Sequence, residues 1–288
     1  MMDRGDDSAL PVVAYQGVPG AFSYEACGQA EPDLYAMPCT SFEEVIIAVR
    51  ECKAERAVIP IENSIFGRVA DIHRLLPTSG LHIVAEHFMP VRLQLLACPG
   101  AGLSDIRVAH SHPVALGQCR AFLLGHGIDA VPVTDTAAAA ADIAREGDMS
   151  KAAIASASAG AIYGLDSVAA DIQDDEDNTT RFVIMAREPN AIASIAQPAM
   201  TSFMFTVRNV SAALYKALGG FATAAVNMVK IESYIVGGTF TAMQFYVEIE
   251  GHPEEERVRI AMDELQYYCS DAQILGVYSA HPYRSLKR

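Results

Sequence analysis

The sequence predicts an α/β protein with two domains, the larger over residues 10–190 and a smaller βαββαβ one over residues 200–284. Three observations carry this expectation. Through the first two thirds of the chain, short apolar runs alternate with helical patterns of roughly 10–15 residues, which suits a largely parallel sheet with crossover helices. A stretch with two prolines and many small residues, Arg187 to Met200, then breaks the pattern and reads as a linker. Beyond it the order becomes strand, helix, strand, strand, helix, strand, the ferredoxin-like split motif.

Taken in order, Val12 to Gly17 reads as a buried strand and Phe22 to Ala30 as a helix. "LYAMPC" and "SFEEVIIAVREC" repeat the unit, with Ser41 as N-cap and Glu44 three residues on. Arg56 to Glu62 is the next strand and Gly67 to Leu76 the next helix. "HIVAEHFMPVRLQLLAC" is β-rich and broken near Pro90. There follow strand "RVAHSH", one helix from Pro113 to His126, strand "DAVPVT", and an alanine-rich helix from Thr136 to Arg145. Strand Lys151 to Ser156, a helix to Tyr163, and strands "VAADI" and "TRFVIMA" complete the larger domain. In the smaller one, strand "TSFMFTV" leads to a helix from Ala212 to Met228. Strands "VKIESYIV" and "QFYVEIEG" come next, joined by a tight hairpin at "VGGT", Val236 to Thr239. Helix Pro253 to Tyr268 and strand "AQILGVYS" end the domain.

With 51% hydrophobic and 19% charged residues, the chain reads as globular rather than disordered. Its net charge of −14 argues against a sequence-independent grip on nucleic acid, yet leaves room for a local anion pocket of backbone N–H groups and a few cations. The six cysteines are scattered, without a C-x-x-C pair, which suits free thiols in a reducing cytosol. The acidic, polar start does not resemble a signal peptide, and no apolar run reaches the roughly 18 residues of a membrane span. A cytoplasmic protein is expected.

Ligands in open parallel sheets gather where strands end and helices begin. Four such junctions are polar here. "YQGVPGAFS" has Gly17 and Gly20 for a sharp turn and Ser23 in the opening helical turn. "PIENSIFGRV" sets Glu62, Asn63 and Ser64 between strand and helix. "HSHPVALGQC" places Ser111 ahead of Pro113, a natural first helical residue, with Gln118 within two turns. The fourth runs from Asn178 through Thr179 and Thr180 to Arg181, where an acidic run meets a hydrocarbon-rich strand. Plainer readings stand beside these: Ser23 and Ser111 as helix caps, Asn63 as a turn residue, Gln118 as a surface residue, Arg181 as partner of the acids at 174–177. His110 and His112 share a strand face but lack a third ligand, so no metal site is expected. Walker, dinucleotide-binding and nucleophile-elbow motifs are absent. Hydroxyls, amides and one guanidinium fit a small dianion and a reaction that needs positioning plus one proton.

At these junctions the sequence resembles the prephenate dehydratase family. The matching segments are "YQGVPGAFSYEA", "AVIPIENSIFGRV", "SHPVALGQC", "AAIASASAGAIYGL" and "DNTTRFVIMARE", in the family's order and with its Thr-Arg-Phe element at Thr180, Arg181 and Phe182. "ALYKALGGFATAAVNMVKIES" is similar to the ACT regulatory module that follows the catalytic part. The resemblance implies a catalytic domain with the two lobes of a periplasmic binding protein and a site in the cleft, in the monofunctional form without a preceding chorismate mutase segment. It implies Asn63, Ser111, Gln118, Thr180 and Arg181 as catalytic residues, with Ser23, Glu62, Ser64 and Phe182 around the substrate.

The implied reaction is decarboxylation of prephenate with loss of its ring hydroxyl, giving phenylpyruvate, carbon dioxide and water. Aromatisation drives it, so no cofactor is expected. Thr180 is the implied donor to the departing oxygen, and Arg181 the implied carboxylate ligand. ACT modules pair across subunits and bind an amino acid, which implies a homodimer or homotetramer with L-phenylalanine as effector. Its binding residues would be Ala212, Ala213, Leu214, Glu232 and Ser233; Tyr234 and Ile235 replace the family's Arg-Pro. Two alternatives remain: an arogenate dehydratase, and a non-catalytic amino-acid-sensing or solute-binding protein.

Overall fold

A computed structural model describes residues 10–190, 198–208, 210–235 and 243–286. The expected hairpin at Val236 to Thr239 and the centre of the expected linker lie outside the described residues. The strands are β1 (Val12–Gln16), β2 (Tyr35–Cys39), β3 (Arg56–Asn63), β4 (Gly67–Arg68), β5 (His82–Pro90), β6 (Gln94–Ala97), β7 (Val108–Ser111) and β8 (Asp129–Pro132). Then come β9 (Lys151–Ala155), β10 (Asp166–Ala169), β11 (Thr179–Ala186), β12 (Ala199–Val207), β13 (Met228–Ile235), β14 (Met243–Glu250) and β15 (Cys269–Ser279). The helices are α1 (Phe22–Ala30), α2 (Phe42–Arg50), α3 (Ala70–Leu75), α4 (Pro113–Gln118), α5 (Arg120–His126), α6 (Thr136–Glu146), α7 (Ala157–Tyr163), α8 (Ala213–Thr223), α9 (Glu256–Tyr268) and α10 (Tyr283–Leu286).

The chain divides into two compact units, one of residues 1–68 and 88–182, the other of residues 69–87 and 183–288. Strands β5 and β11 contribute residues to each.

The first unit has two lobes. In one, β1 pairs in parallel with β2 and with β3, and β11 continues the sheet beyond β3. In the other, the strand order is β10-β6-β9-β7-β8; β7 is parallel to β8 and β9, and β6 is antiparallel to β9 and β10. The chain crosses between lobes after β5 and again after β10, the two-lobed α/β organisation the resemblance implies. One face of the second lobe's sheet buries Leu93, Leu95, Ala109, Leu123 and Ile154. The other packs α6 and α7 through Ala137, Ala140, Ala155 and Ala159, where small side chains let helix and sheet approach closely.

Local chemistry explains most of these elements. Ser41 Oγ accepts from Glu44 N at 3.1 Å and starts α2; the Glu44 carboxylate binds N and Oγ1 of Thr40, one residue further back than a capping box requires. Asp135 and Ser156 cap α6 and α7 in the same way, and α5, α6 and α7 each end on a left-handed glycine.

The helix expected from Ala212 to Met228 ends at Thr223, and Met228 opens β13; two other expected helices are reorganised. Gly67 to Leu76 yields the short strand β4 and then α3, because Asn63 Oδ1 accepts from the N–H groups of Ile65 and Phe66 and Gly67 turns at φ 74°, folding the chain back so that Glu62 pairs with Arg68. The helix from Pro113 to His126 is broken at Cys119. There Asp174 N donates to Gln118 O at 2.6 Å, and the Asp174 carboxylate accepts from Ala121 N at 3.2 Å, capping α5 from a distant loop.

In the second unit β12 pairs antiparallel with β14 and β15, and β14 with β13, giving the order β13-β14-β12-β15. With α8 and α9 between strands this is the ferredoxin-like βαββαβ arrangement. Its core holds Phe203, Phe205, Phe221, Phe245, Val247 and Leu265. Residues 69–87 join this unit, and Ile83 of β5 lies in register with Gly276 of β15.

Candidate active site

Asn63, at the end of β3, organises the site. Both lone-pair directions of its Oδ1 are occupied by the Ile65 and Phe66 N–H groups, at 3.0 and 3.1 Å. That fixes the amide orientation, so Nδ2 must face away and donate. It donates to Asn178 Oδ1 at 2.7 Å and to Thr180 Oγ1 at 3.1 Å. Asn178 and Thr180 are two residues apart in extended chain and present their side chains on one face. Since the Thr180 oxygen accepts from Asn63 and makes no other hydrogen bond among the described residues, its O–H is left to donate.

Asn178 is 1% exposed, and its Nδ2 has no hydrogen-bond partner among the described residues. A buried donor left unpaired costs about 1–3 kcal/mol, which an incoming acceptor would recover. The side chain lines a pocket of about 160 Å³ walled also by Ile65, Phe66, Gly117, Gln118, Gln173, Asp174 and Asp175. A cavity of about 150 Å³ admits a benzene-sized ring. The pocket therefore draws on both lobes and on the loop that crosses between them.

Backbone bonds hold this mouth rigid. Ser64 N donates to Thr179 O, Thr179 N donates to Ser64 Oγ, and that hydroxyl donates to Asp177 O, each at 2.9 Å. On the other side Val91 N donates to Asn178 O at 2.8 Å. The acidic run is used locally: Asp174 caps α5, and Asp175 Oδ1 accepts from Asp177 N. Next to Asp174, burial together with that carboxylate pushes the Cys119 thiol up to about 12.

The structure thus joins Asn63 to Thr180 and Asn178, with Ser64 as a clip, and sets Gln118 on the wall of the pocket that Asn178 also lines. Arg181 alternates to the opposite face of β11 from Thr180, is 2% exposed, and donates from Nη1 to Glu62 Oε1 at 2.9 Å, with its guanidinium carbon 5.8 Å from the Phe88 ring centre. Phe182 is fully buried. Ser111 is also buried, and its hydroxyl donates to Ile154 O. It does not cap α4; His112 Nδ1 does, accepting from Val114 N at 3.2 Å. Ser23 is buried inside α1, whose N-cap is Ala21. The loop ahead of it docks on α7: Ser156 Oγ donates to Gly20 O at 2.7 Å, Tyr163 Oη donates to Pro19 O at 2.9 Å, and a Cβ on Gly20 would sit 2.8 Å from Ala159 Cα. Among the described residues no three His, Cys, Asp or Glu side chains are grouped to hold a metal ion. Nor is any described helix long and apolar enough to cross a membrane.

Ala212 precedes α8 with φ 59°, Ala213 is buried in its first turn beside Leu214, and Glu232 and Ser233 lie on β13. The hydrogen-bonding of Asn178 is not legible in the sequence. Its position at the strand mouth was visible, but the orientation of its amide depends on Asn63, 115 residues away.

Residues 13–190 match the Prephenate dehydratase family. The chain is 45% identical over 273 residues to a bifunctional N-acyl-homoserine lactone acylase/prephenate dehydratase of Komagataeibacter europaeus, covering 95% of this chain and 97% of that one. It is 39% identical over 288 residues to the chloroplastic arogenate dehydratase/prephenate dehydratase 1 of Arabidopsis thaliana, covering 95% and 73%. Among solved structures, prephenate dehydratase from Arthrobacter aurescens in complex with L-Phe is 31% identical, with a TM-score of 0.86 over 93% of this chain and 90% of that one. With a family match across the whole two-lobed unit and relatives alike over nearly the full length, the chain belongs to the prephenate dehydratase family.

Proposed function

We propose that the chain converts prephenate to phenylpyruvate, carbon dioxide and water, with the six-membered ring in the pocket beside Asn178. The observation that carries this reading is the Asn63 amide, which donates to Thr180 Oγ1 and leaves the Thr180 O–H to donate. The bond to the ring carboxylate breaks and its electron pair enters the ring. The carbon–oxygen bond breaks with its pair moving to oxygen, and that oxygen takes the Thr180 proton and leaves as water; Thr180 recovers a proton from solvent. An alcohol is too weak an acid to do this unaided, and the Asn63 N–H on its oxygen polarises it. We assign Gln118 to the substrate, Ser64 and Ser111 to positioning, and the buried Arg181–Glu62 pair to holding the strand mouth rather than to a substrate carboxylate, since it lies on the face of β11 opposite Thr180. Incubation with prephenate, followed by the absorbance of phenylpyruvate in alkali, tests the reading; no phenylpyruvate would refute it.

Arogenate differs from prephenate only in its side chain, and plant relatives carry both names. The ratio of kcat/KM for the two decides between them. A second activity is favoured by one observation, the 45% identity over 95% of this chain to a protein named for N-acyl-homoserine lactone cleavage as well. Donors that grip a departing oxygen can also hold an amide carbonyl. Release of primary amine from an N-acyl-homoserine lactone tests that activity.

We further propose that the ferredoxin-like unit binds L-phenylalanine through Ala212, Ala213, Leu214, Glu232 and Ser233 in a homodimer or homotetramer. Support comes from the L-Phe complex of the Arthrobacter relative. Initial rates with and without L-phenylalanine test the proposal. Six free cysteines suit a reducing compartment, and we place the enzyme in the cytoplasm.

A further inference from the structure

We propose that Asn178 is a catalytic residue of this reaction, donating a hydrogen bond from Nδ2 to the oxygen that leaves the ring, alongside the Thr180 hydroxyl. The proposal rests on the reading of the pocket as the prephenate site and adds to it a residue that the resemblance does not name. Its basis is a mismatch between burial and bonding. Asn178 is almost wholly buried and lines the pocket, yet both hydrogens of its amide nitrogen lack an acceptor among the described residues. Fold stability gives no reason to keep such a group.

Its orientation is settled by its neighbour. Asn63 Oδ1 is committed to two backbone N–H groups, so Asn63 offers a donor and Asn178 must meet it with Oδ1. The Asn178 nitrogen therefore points elsewhere. Two carboxylates of the loop are turned to backbone N–H groups instead, Asp174 at Ala121 N and Asp175 at Asp177 N, and neither meets the Asn178 nitrogen. The side chain cannot readily swing away either, because its own carbonyl is bound by Val91 N and the next residue is held on both backbone groups by Ser64. The donor is therefore preorganised and waits for an acceptor that arrives with a ligand.

Which acceptor follows from the shared Asn63 nitrogen. It bonds both Thr180 Oγ1 and Asn178 Oδ1, so those two atoms are no further apart than the two hydrogen bonds laid end to end. The side chains also share one face of the strand. One ligand oxygen can thus meet the Thr180 O–H and an Asn178 N–H together. An amide gives up no proton; it spreads the negative charge that builds on the oxygen as the carbon–oxygen bond breaks, while the proton comes from Thr180.

Asn178→Asp tests this, because the carboxylate keeps the bond to Asn63 but loses the donor, whereas its protonated form can donate as the amide does. Above the carboxyl's pKa, kcat should fall by about 10²-fold or more with KM within a few-fold of wild type, as for loss of one oxyanion donor. Activity should then recover toward wild type as pH falls and the carboxyl is protonated, a limb absent from the wild-type profile. Asn178→Ala should show the same fall without the recovery, and its kcat-against-KM split decides the matter if thermal unfolding shows that the aspartate variant does not fold. Wild-type kcat in folded variants, a loss confined to KM, or a loss in Asn178→Asp that stays flat with pH would each overturn the proposal. Wild-type enzyme assayed alongside keeps the two readings apart: no turnover of prephenate removes the proposed function, whereas normal turnover beside an unimpaired Asn178→Asp removes only the role of Asn178.

Discussion

The Thr180 hydroxyl accepts one hydrogen bond and has one hydrogen to give, so its function can be removed without altering its shape. Thr180→Val keeps the branched side chain and deletes the O–H. We expect kcat to fall by about 10²-fold or more while KM changes little, measured by initial-rate kinetics. A second residue-scale prediction concerns Ala212, which sits at φ 59° and ψ 19°, a left-handed conformation that strains any side chain with a Cβ. Ala212→Gly should raise stability by about 1 kcal/mol, read as a higher melting temperature. These two residues illustrate opposite situations. At Thr180 the environment is built around the side chain, whereas at Ala212 the backbone tolerates a residue that does not suit it.

Among the elements, the informative cases are those where a distant segment overrides a local preference. The α4–α5 break is held by Asp174, and it leaves Gln118 at the end of a short helix on the pocket wall. The β3–β4 hairpin is held by the Asn63 side chain, and the same side chain orients Thr180. Strand β5 approaches β15 so closely that a Cβ on Gly276 would overlap the Ile83 carbonyl oxygen and lie 2.8 Å from its carbon. That contact has no soft side chain to yield, so Gly276→Ala must push the two strands apart. We expect a loss on the order of 3 kcal/mol in urea unfolding. A wild-type midpoint would mean that the strands do not pack this tightly.

At the scale of the whole molecule, part of the negative charge is taken into the interior. The second unit buries Glu86 and Glu248 and reconciles them through Arg284, whose Nε and Nη2 bind Glu86 at 2.7 and 2.8 Å and whose Nη2 reaches Glu248 at 3.1 Å. Tyr246 Oη donates to the other Glu248 oxygen at 2.6 Å, and His281 N donates to Glu86 at 3.0 Å. Such a network fixes geometry more than it adds stability. Beside it, burial and the neighbouring His281 hold the His87 pKa below its ordinary value. The unfolded chain then takes up a proton before the folded one does. Stability from this group is fully present above about pH 6.5 and is lost as pH falls from there through the folded pKa. Melting temperatures measured from neutral to mildly acidic pH should fall less steeply for His87→Gln than for wild type.

Residues near in sequence determined a great deal by themselves. Alternation of apolar runs with helical patterns sufficed for the α/β order, because period, caps and turn residues act within a few positions, while five segments in order, with the ACT-like stretch after them, carried the resemblance to the family. The βαββαβ order of the second unit was equally legible, for the same reason. Only the tertiary structure decided that residues 69–87 pack with that unit, that Asp174 splits a helix, that Arg181 spends a donor on Glu62, and that Asn178, on the pocket wall, keeps a buried amide nitrogen without a partner among the described residues. Each of these depends on a partner far away in sequence, and the direction of a hydrogen bond cannot be known until both of its ends have been brought together.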